Sequence, residues 1–176
     1  MNLKEWLYTI LAVLISTGIM SLAFDYHEGT GQVRGVVLQK KQIAQVVDGD
    51  TIKAEIDGKT ETIRLIGINT PEIEDPRKPV ECFGIEASNR LKDLLDGKAV
   101  ILEPDENLSD RDKYSRLLRY VRLDNEETTV NERMIAEGFA YEEDYGTNYK
   151  LELRFTIVET IARSRGVGLW SGTICS

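Results

Sequence analysis

Histidine is nearly absent: the 176 residues include a single imidazole, His27. With that residue in a polar linker, Ser-His-Asp and Cys-His relays are excluded, and most zinc sites are disfavoured. Cysteine is almost as scarce, and Cys82 and Cys175 are too few and too far apart for a zinc cluster. Low-complexity tracts and internal repeats are missing too, which leaves one ordinary globular domain plus a terminal segment. Positive charge is also short. Lys and Arg number 22 against 30 Asp and Glu, so the chain carries −8. A chain of that sign repels polyanions in bulk, so any contact with DNA or RNA needs a local basic patch or a metal.

Charge of either sign is missing from one run. Trp6 to Ala23 (WLYTILAVLISTGIMSLA) holds 18 uncharged residues after Lys4 and Glu5. Residues 1–24 therefore read as a secretory signal ending near Ser21-Leu22-Ala23, or as an uncleaved hydrophobic helix that anchors the chain in a membrane. Apolar residues on every face argue against a buried core helix. Residues 25–32 (DYHEGTGQ) form a polar linker, and 33–176 form the folded domain. The expected location is extracytoplasmic, secreted or anchored. Export permits a disulfide between Cys82 and Cys175, which would close a loop of roughly 90 residues and add about 4 kcal/mol by chain entropy. Two unpaired thiols are the alternative. The Asn107-Leu108-Ser109 sequon matters only in a eukaryotic secretory route.

What is present follows a clear order. Val33–Val47, Thr51–Ile56 and Thr60–Ile68 are strand-like, the last two joined by Asp57-Gly58, a strong hairpin signal. Ala87, Leu91, Leu94 and Leu95 recur at helical spacing over 85–95, with Gly97 as a stop. Lys98–Glu103 and Leu117–Leu123 read as strands and Asn131–Glu137 as a short helix. Leu151, Phe155, Val158 and Ile161 mark one face of a final helix that stops before Gly166. The class is α+β, a small curled sheet with about three helices. Five strands with an inserted helix are compatible with an OB-type barrel, although spacing alone does not choose it over other small barrels.

Four strings carry more. VVDGDT (Val46–Thr51), IRLIGINTPE (Ile63–Glu72), GIEAS (Gly84–Ser88) and DKYSRLLRYV (Asp112–Val121) resemble, in order and spacing, the staphylococcal nuclease (thermonuclease) family. RGVGLW (Arg165–Trp170) is similar to the end of that family's domain. The resemblance spans about Gln42 to Trp170. It implies an OB-fold five-stranded barrel, and calcium-dependent, sequence-nonspecific hydrolysis of DNA and RNA that leaves 3′-phosphate and 5′-hydroxyl ends. It also implies a monomer acting on single-stranded or locally open nucleic acid.

The chemistry of the matched residues suits that expectation. Calcium takes six to eight oxygen ligands. By resemblance Asp50 is the first carboxylate ligand, Thr70 offers its backbone carbonyl, and Asp48 is an acid just behind the metal. A plain hairpin turn accounts for Asp48 and Gly49 but does not require Asp50. Asn69 stands where well-studied members have Asp; an amide oxygen still coordinates but removes one negative charge, so weaker metal binding is expected. Glu72 matches the general base that activates water, with Pro71 fixing the backbone before it. Arg64 and Arg116 match the two arginines that clamp the phosphate, each a planar fork of donors; a solvent-facing strand arginine is the bland reading of Arg64. Lys113 and Tyr114 match positions that contact the nucleotide beyond the scissile phosphate. Arg111 to Arg122 carries a local +4, which suits a strand-binding groove or equally a loop that balances the acidic run Glu103 to Asp110. Tyr141 and Tyr145 are alternative base-stacking rings. A non-catalytic binding module on the same barrel is the competing function.

Overall fold

In the computed structural model, the structure describes residues 40–73 and 79–172. All belong to one of two units of the chain, Val36–Ser176. The expected N-terminal helix, the linker, the start of the first strand and Cys175 lie outside the described residues. Among the described residues no helix is long and apolar enough to cross a membrane.

Five strands close into a barrel: β1 (Lys40–Val46), β2 (Thr51–Ile56), β3 (Lys59–Leu65), β5 (Ala99–Glu103) and β6 (Leu117–Leu123). Around the barrel the order is β1-β2-β3-β6-β5, and β5 pairs back onto β1. Every barrel pairing is antiparallel except β3 with β6, where Arg64 sits opposite Leu118. This is the OB-type barrel anticipated above. Its strands alternate as a curled sheet requires: in β2, Ile52 and Ala54 point inward while Lys53 and Glu55 do not. β6 departs from alternation because both its faces are covered, so only Arg119 and Arg122 escape burial in LLRYVRL.

The β2–β3 hairpin turns on Asp57 and Gly58, both left-handed at φ 52 and 77, and Ile56 pairs with Lys59. That is the two-residue turn whose twist matches the strands. The run expected as one strand to Ile68 instead breaks at Gly67, whose φ is 71. A Cβ there would lie 2.7 Å from the Tyr149 ring and 2.8 Å from Phe155, so both backbone angle and space demand glycine. After the break, β4 (Ile68–Asn69) pairs with β7 (Tyr141–Glu142), a two-strand ladder that alternation in such short segments does not announce.

Helix α1 (Gly84–Leu95) buries Ala87, Leu91, Leu94 and Leu95 as their spacing predicts. Helix α2 (Val130–Ala136) starts at the Thr129 hydroxyl, which accepts from the Glu132 N–H at 3.1 Å. Helix α3 (Glu152–Arg165) ends at left-handed Gly166, followed by a 3-10 turn at Gly168–Trp170. Its inner face differs from expectation by one residue. Ala162 is buried and Ile161 is 42% exposed, because Phe155, fully buried, sets the rotation of the helix against the core. Asn131, also fully buried, ties α2 to the barrel: its amide donates to the Ile66 carbonyl at 2.8 Å and its oxygen accepts from the Val121 N–H at 2.9 Å. The β3–β6 seam that carries Arg64 is fixed from behind by this one side chain.

Candidate active site

The turn between β1 and β2 is built around its two acids. The Asp48 carboxylate accepts from the Asp50 N–H at 2.9 Å, a local side-chain turn that aims Asp50 inward. Gly49 is needed for a different reason than backbone angle: a Cβ would sit 2.7 Å from the Thr70 hydroxyl and 2.9 Å from Ala87. The turn is thus packed directly against the T-P-E segment and α1.

Asp50 is 6% exposed and Arg64 8%. One Asp50 oxygen accepts from the Thr51 hydroxyl at 2.9 Å. The other accepts from the Thr70 N–H at 3.1 Å and the Thr70 hydroxyl at 3.2 Å, and lies 3.2 Å from the Arg64 guanidinium. Arg64 also donates to the Leu65 carbonyl at 3.0 Å and to the Asn69 amide oxygen at 3.4 Å. Five of the anticipated residues, Asp48, Asp50, Arg64, Asn69 and Thr70, therefore form one bonded cluster where the ends of β2, β3 and β4 meet. Arg64 is not a solvent-facing strand arginine. Burying such a pair is costly unless every remaining donor is satisfied, and here the fork is shared among three acceptors.

Glu72 follows Thr70 by two residues. Its backbone is gripped reciprocally by Glu81: the Glu72 N–H donates to the Glu81 carboxylate at 3.0 Å, and the Glu81 N–H donates to the Glu72 carbonyl at 2.9 Å. Arg116 forms a second group. Its Nε donates to the Asp112 carboxylate at 2.7 Å, and its guanidinium lies 5.4 Å from the centre of the Tyr114 ring, with the Lys113 ammonium 5.0 Å from the same ring. Asp112 also accepts from the Tyr114 and Arg116 N–H groups. Burial opposes ionisation of Asp112, but the Arg116 backbone and side chain prevail and hold its carboxyl below the usual range. Tyr114 is 68% exposed, whereas Tyr141 packs edge-on against Trp170 and Tyr145 against Tyr149. Of these rings Tyr114 is the one presented to solvent. Each arginine of the Arg111–Arg122 run also has an acid partner: Arg111 with Glu61, Arg116 with Asp112, Arg119 with Asp110 and Arg122 with Glu103.

Among the described residues no group of three or more His, Cys, Asp or Glu is assembled for a metal. Two acids do share one turn, and burial, then the charge of Asp50, push the Asp48 carboxyl up to about 7. A cation beside the turn would offset both the cost of burying that charge and the smaller repulsion from Asp50. The neighbouring oxygens are the Asn69 amide and the Thr70 hydroxyl, both hard, so the set fits an oxygen-seeking dication and not zinc or copper.

Asp112, Glu81 and Asn131 were not legible as site residues. Asp112 lay inside a quoted string without a role of its own, and nothing local marks Glu81 or Asn131, whose partners are 9 and 65 residues distant. Cys82 is disulfide-bonded, and none of the described cysteines is free.

A family model described as "Staphylococcal nuclease homologue" matches residues 62–172. The chain is 33% identical over 165 residues to a protein named "Thermonuclease" of Staphylococcus hyicus, covering 92% of this chain and 95% of that one. It is 34% identical over 165 residues to "Thermonuclease" of Staphylococcus intermedius, covering 90% and 94%. It is also 34% identical over 168 residues to "Endonuclease YncB" of Bacillus subtilis (strain 168), covering 89% and 78%.

Proposed function

We propose that this chain, which belongs to the staphylococcal nuclease family, hydrolyses DNA and RNA with the help of calcium and leaves 3′-phosphate and 5′-hydroxyl ends. That it is a nuclease, a phosphodiester hydrolase, rests on relatives named for that activity and matched over 78–95% of their length. The finer reading rests on one observation above others: the Asp50 carboxylate is held by Arg64 and Thr70 where three strand ends meet. A fold alone would not argue for chemistry, but a buried guanidinium and carboxylate at a barrel rim do.

Asp50, the Asn69 amide and the Thr70 carbonyl would hold calcium, with Asp48 behind them. When bound, calcium supplies Lewis-acid polarisation of a phosphate oxygen. The protein's own residues do the rest. Glu72, anchored at its backbone by Glu81, takes a proton from the attacking water. Arg64 and Arg116 donate to the non-bridging phosphate oxygens as charge builds there. Water adds to phosphorus in line, the bond to the 5′ oxygen breaks, and that oxygen picks up a proton from solvent. Lys113 and exposed Tyr114 would steady the neighbouring nucleotide. Phosphate would also compete with Asp112 for Arg116 and with Asp50 for Arg64, so substrate exchanges ion pairs that already exist instead of ordering free side chains.

The same proposal places the enzyme outside the cytoplasm, exported or anchored through residues 1–24, as a monomer with Cys82 bridged to Cys175. The test is digestion of single-stranded DNA and RNA with calcium and with chelator, followed by end-group mapping. Calcium-dependent cleavage with 3′-phosphate ends supports the proposal. Cleavage that ignores chelator, or none from a folded protein, overturns it.

A further inference from the structure

Beside the Arg116 turn runs a groove of about 560 Å³ that the proposed chemistry does not use. Four cations line it, Lys41, Lys59, Arg111 and Arg119, against two carboxylates, Asp57 and Glu61. In a chain of net charge −8 that local excess is unusual. Leu102 and Leu117 give it an apolar floor. The groove meets the candidate site at one edge. Arg111 donates to the Ser115 carbonyl at 2.8 Å, and its residue bridges Leu117, so it braces the turn that presents Tyr114 and Arg116. Arg119 sits opposite Leu65, and from there β3 leads back to Lys59, six residues or roughly 20 Å at strand spacing, along the face of the strand opposite to that of Arg64.

We infer that this groove is an extended strand-binding subsite: it takes the phosphates of a single-stranded nucleic acid beyond the nucleotides held at Arg64 and Arg116. The inference rests on the nuclease reading. Two of the acids pairing these cations are exposed: Asp57 lies 3.5 Å from Lys41 with its side chain 81% exposed, and the Asp110 partner of Arg119 is 63% exposed. Exposed ion pairs are weak, so a string of phosphates displaces them readily. Glu61, 2.8 Å from Arg111 and only 25% exposed, keeps its partner, which leaves Lys41, Lys59 and Arg119 to meet the phosphates. The aliphatic floor suits sugars and base faces without reading sequence, which matches nonspecific cleavage. The groove also gives an acidic protein a place to hold a polyanion, because cations gather in one concavity of a chain whose net charge is −8.

The experiment compares kcat/KM on a 12-nucleotide single strand with that on a dinucleotide carrying one scissile bond. For the wild-type chain the long substrate should be favoured. In Lys41→Ala/Lys59→Ala that preference should fall about tenfold, and the salt slope of binding the 12-mer should drop by roughly 1.4, since each released counterion contributes about 0.7 on single strands. Lys59→Ala alone, at an exposed strand end, should give a partial fall, and Lys59→Arg should restore it. Lys98→Ala, outside the groove, serves as the control for general charge loss. An unchanged long-to-short preference, or an equal fall in Lys98→Ala, overturns the subsite. Failure of the wild-type chain to cleave the dinucleotide and the 12-mer alike would instead overturn the nuclease reading on which it rests.

Discussion

Replacing Asn69 by Asp should tighten calcium binding, and the structure sets the scale. The Asn69 amide oxygen and the Asp50 carboxylate touch the same guanidinium nitrogen, at 3.4 and 3.2 Å, so they lie no more than about 6.6 Å apart. A dication with one more unit charge at an ordinary ligand distance of about 2.4 Å gains roughly 3.5 kcal/mol even at the dielectric constant of water. The repulsion between the new carboxylate and Asp50 is present with and without calcium, so it lowers the stability of the empty site and not the affinity, and Arg64, which contacts both positions, offsets part of it. Dehydration of the new carboxylate on binding takes back part of the gain, so about ten- to thirtyfold in Kd is expected. Calorimetric titration of calcium into the wild-type chain and Asn69→Asp, at one ionic strength, reads this directly. Asn69→Ala should move the other way. An unchanged or weaker affinity in Asn69→Asp would refute the placing of residue 69 beside the cation.

Three further outcomes follow from single residues. Asn131→Ala leaves the Ile66 carbonyl and the Val121 N–H buried without a partner, so chemical denaturation should show a loss of about 1–3 kcal/mol; wild-type stability would contradict the bracing role. Ser115 holds a left-handed φ of 65 on the Arg116 turn, and Ser115→Gly should gain up to about 1 kcal/mol in the same assay. Asp48 gives a pH dependence in chelator. Its folded carboxyl titrates near 7, above its unfolded value, so the folded state binds the proton more tightly. Thermal stability should therefore rise as pH falls from 8 towards 5, and Asp48→Asn should flatten that trend; a trend unchanged by Asp48→Asn would contradict it.

The barrel strands and α1 were legible because each is announced locally, whereas the candidate residues were named by resemblance. Asp57-Gly58 specifies its turn through two left-handed angles, and the apolar spacing of α1 is complete within 11 residues. The matched strings name Asp50, Arg64, Asn69 and Thr70, and hydrogen bonds and an ion pair link these four in the structure. What escaped is carried by tertiary context. The break at Gly67 depends on Tyr149 and Phe155 closing over it, residues more than 80 positions later. The pairing of β4 with β7 joins two dipeptides too short for any period to register. Ile161 was expected inward because it shares a helical face with Val158, but the buried bulk of Phe155 turns Ala162 inward instead. Charge pairing was legible in part. The alternative that the Arg111–Arg122 run balances the acids of Glu103 to Asp110 is met by Arg119 with Asp110 and Arg122 with Glu103, whereas Arg111 reaches 50 residues back to Glu61, which nothing local announces.

Under the proposed chemistry Glu72 performs the proton transfer while its neighbours bind phosphate and cation. Single-turnover cleavage of a 12-nucleotide strand by Glu72→Gln, measured beside its Kd for that strand, tests this most directly. The account predicts a cleavage rate at least about a hundredfold lower, with Kd within about threefold of wild type. Cleavage at the wild-type rate, or a rate loss fully explained by lost binding, would contradict it.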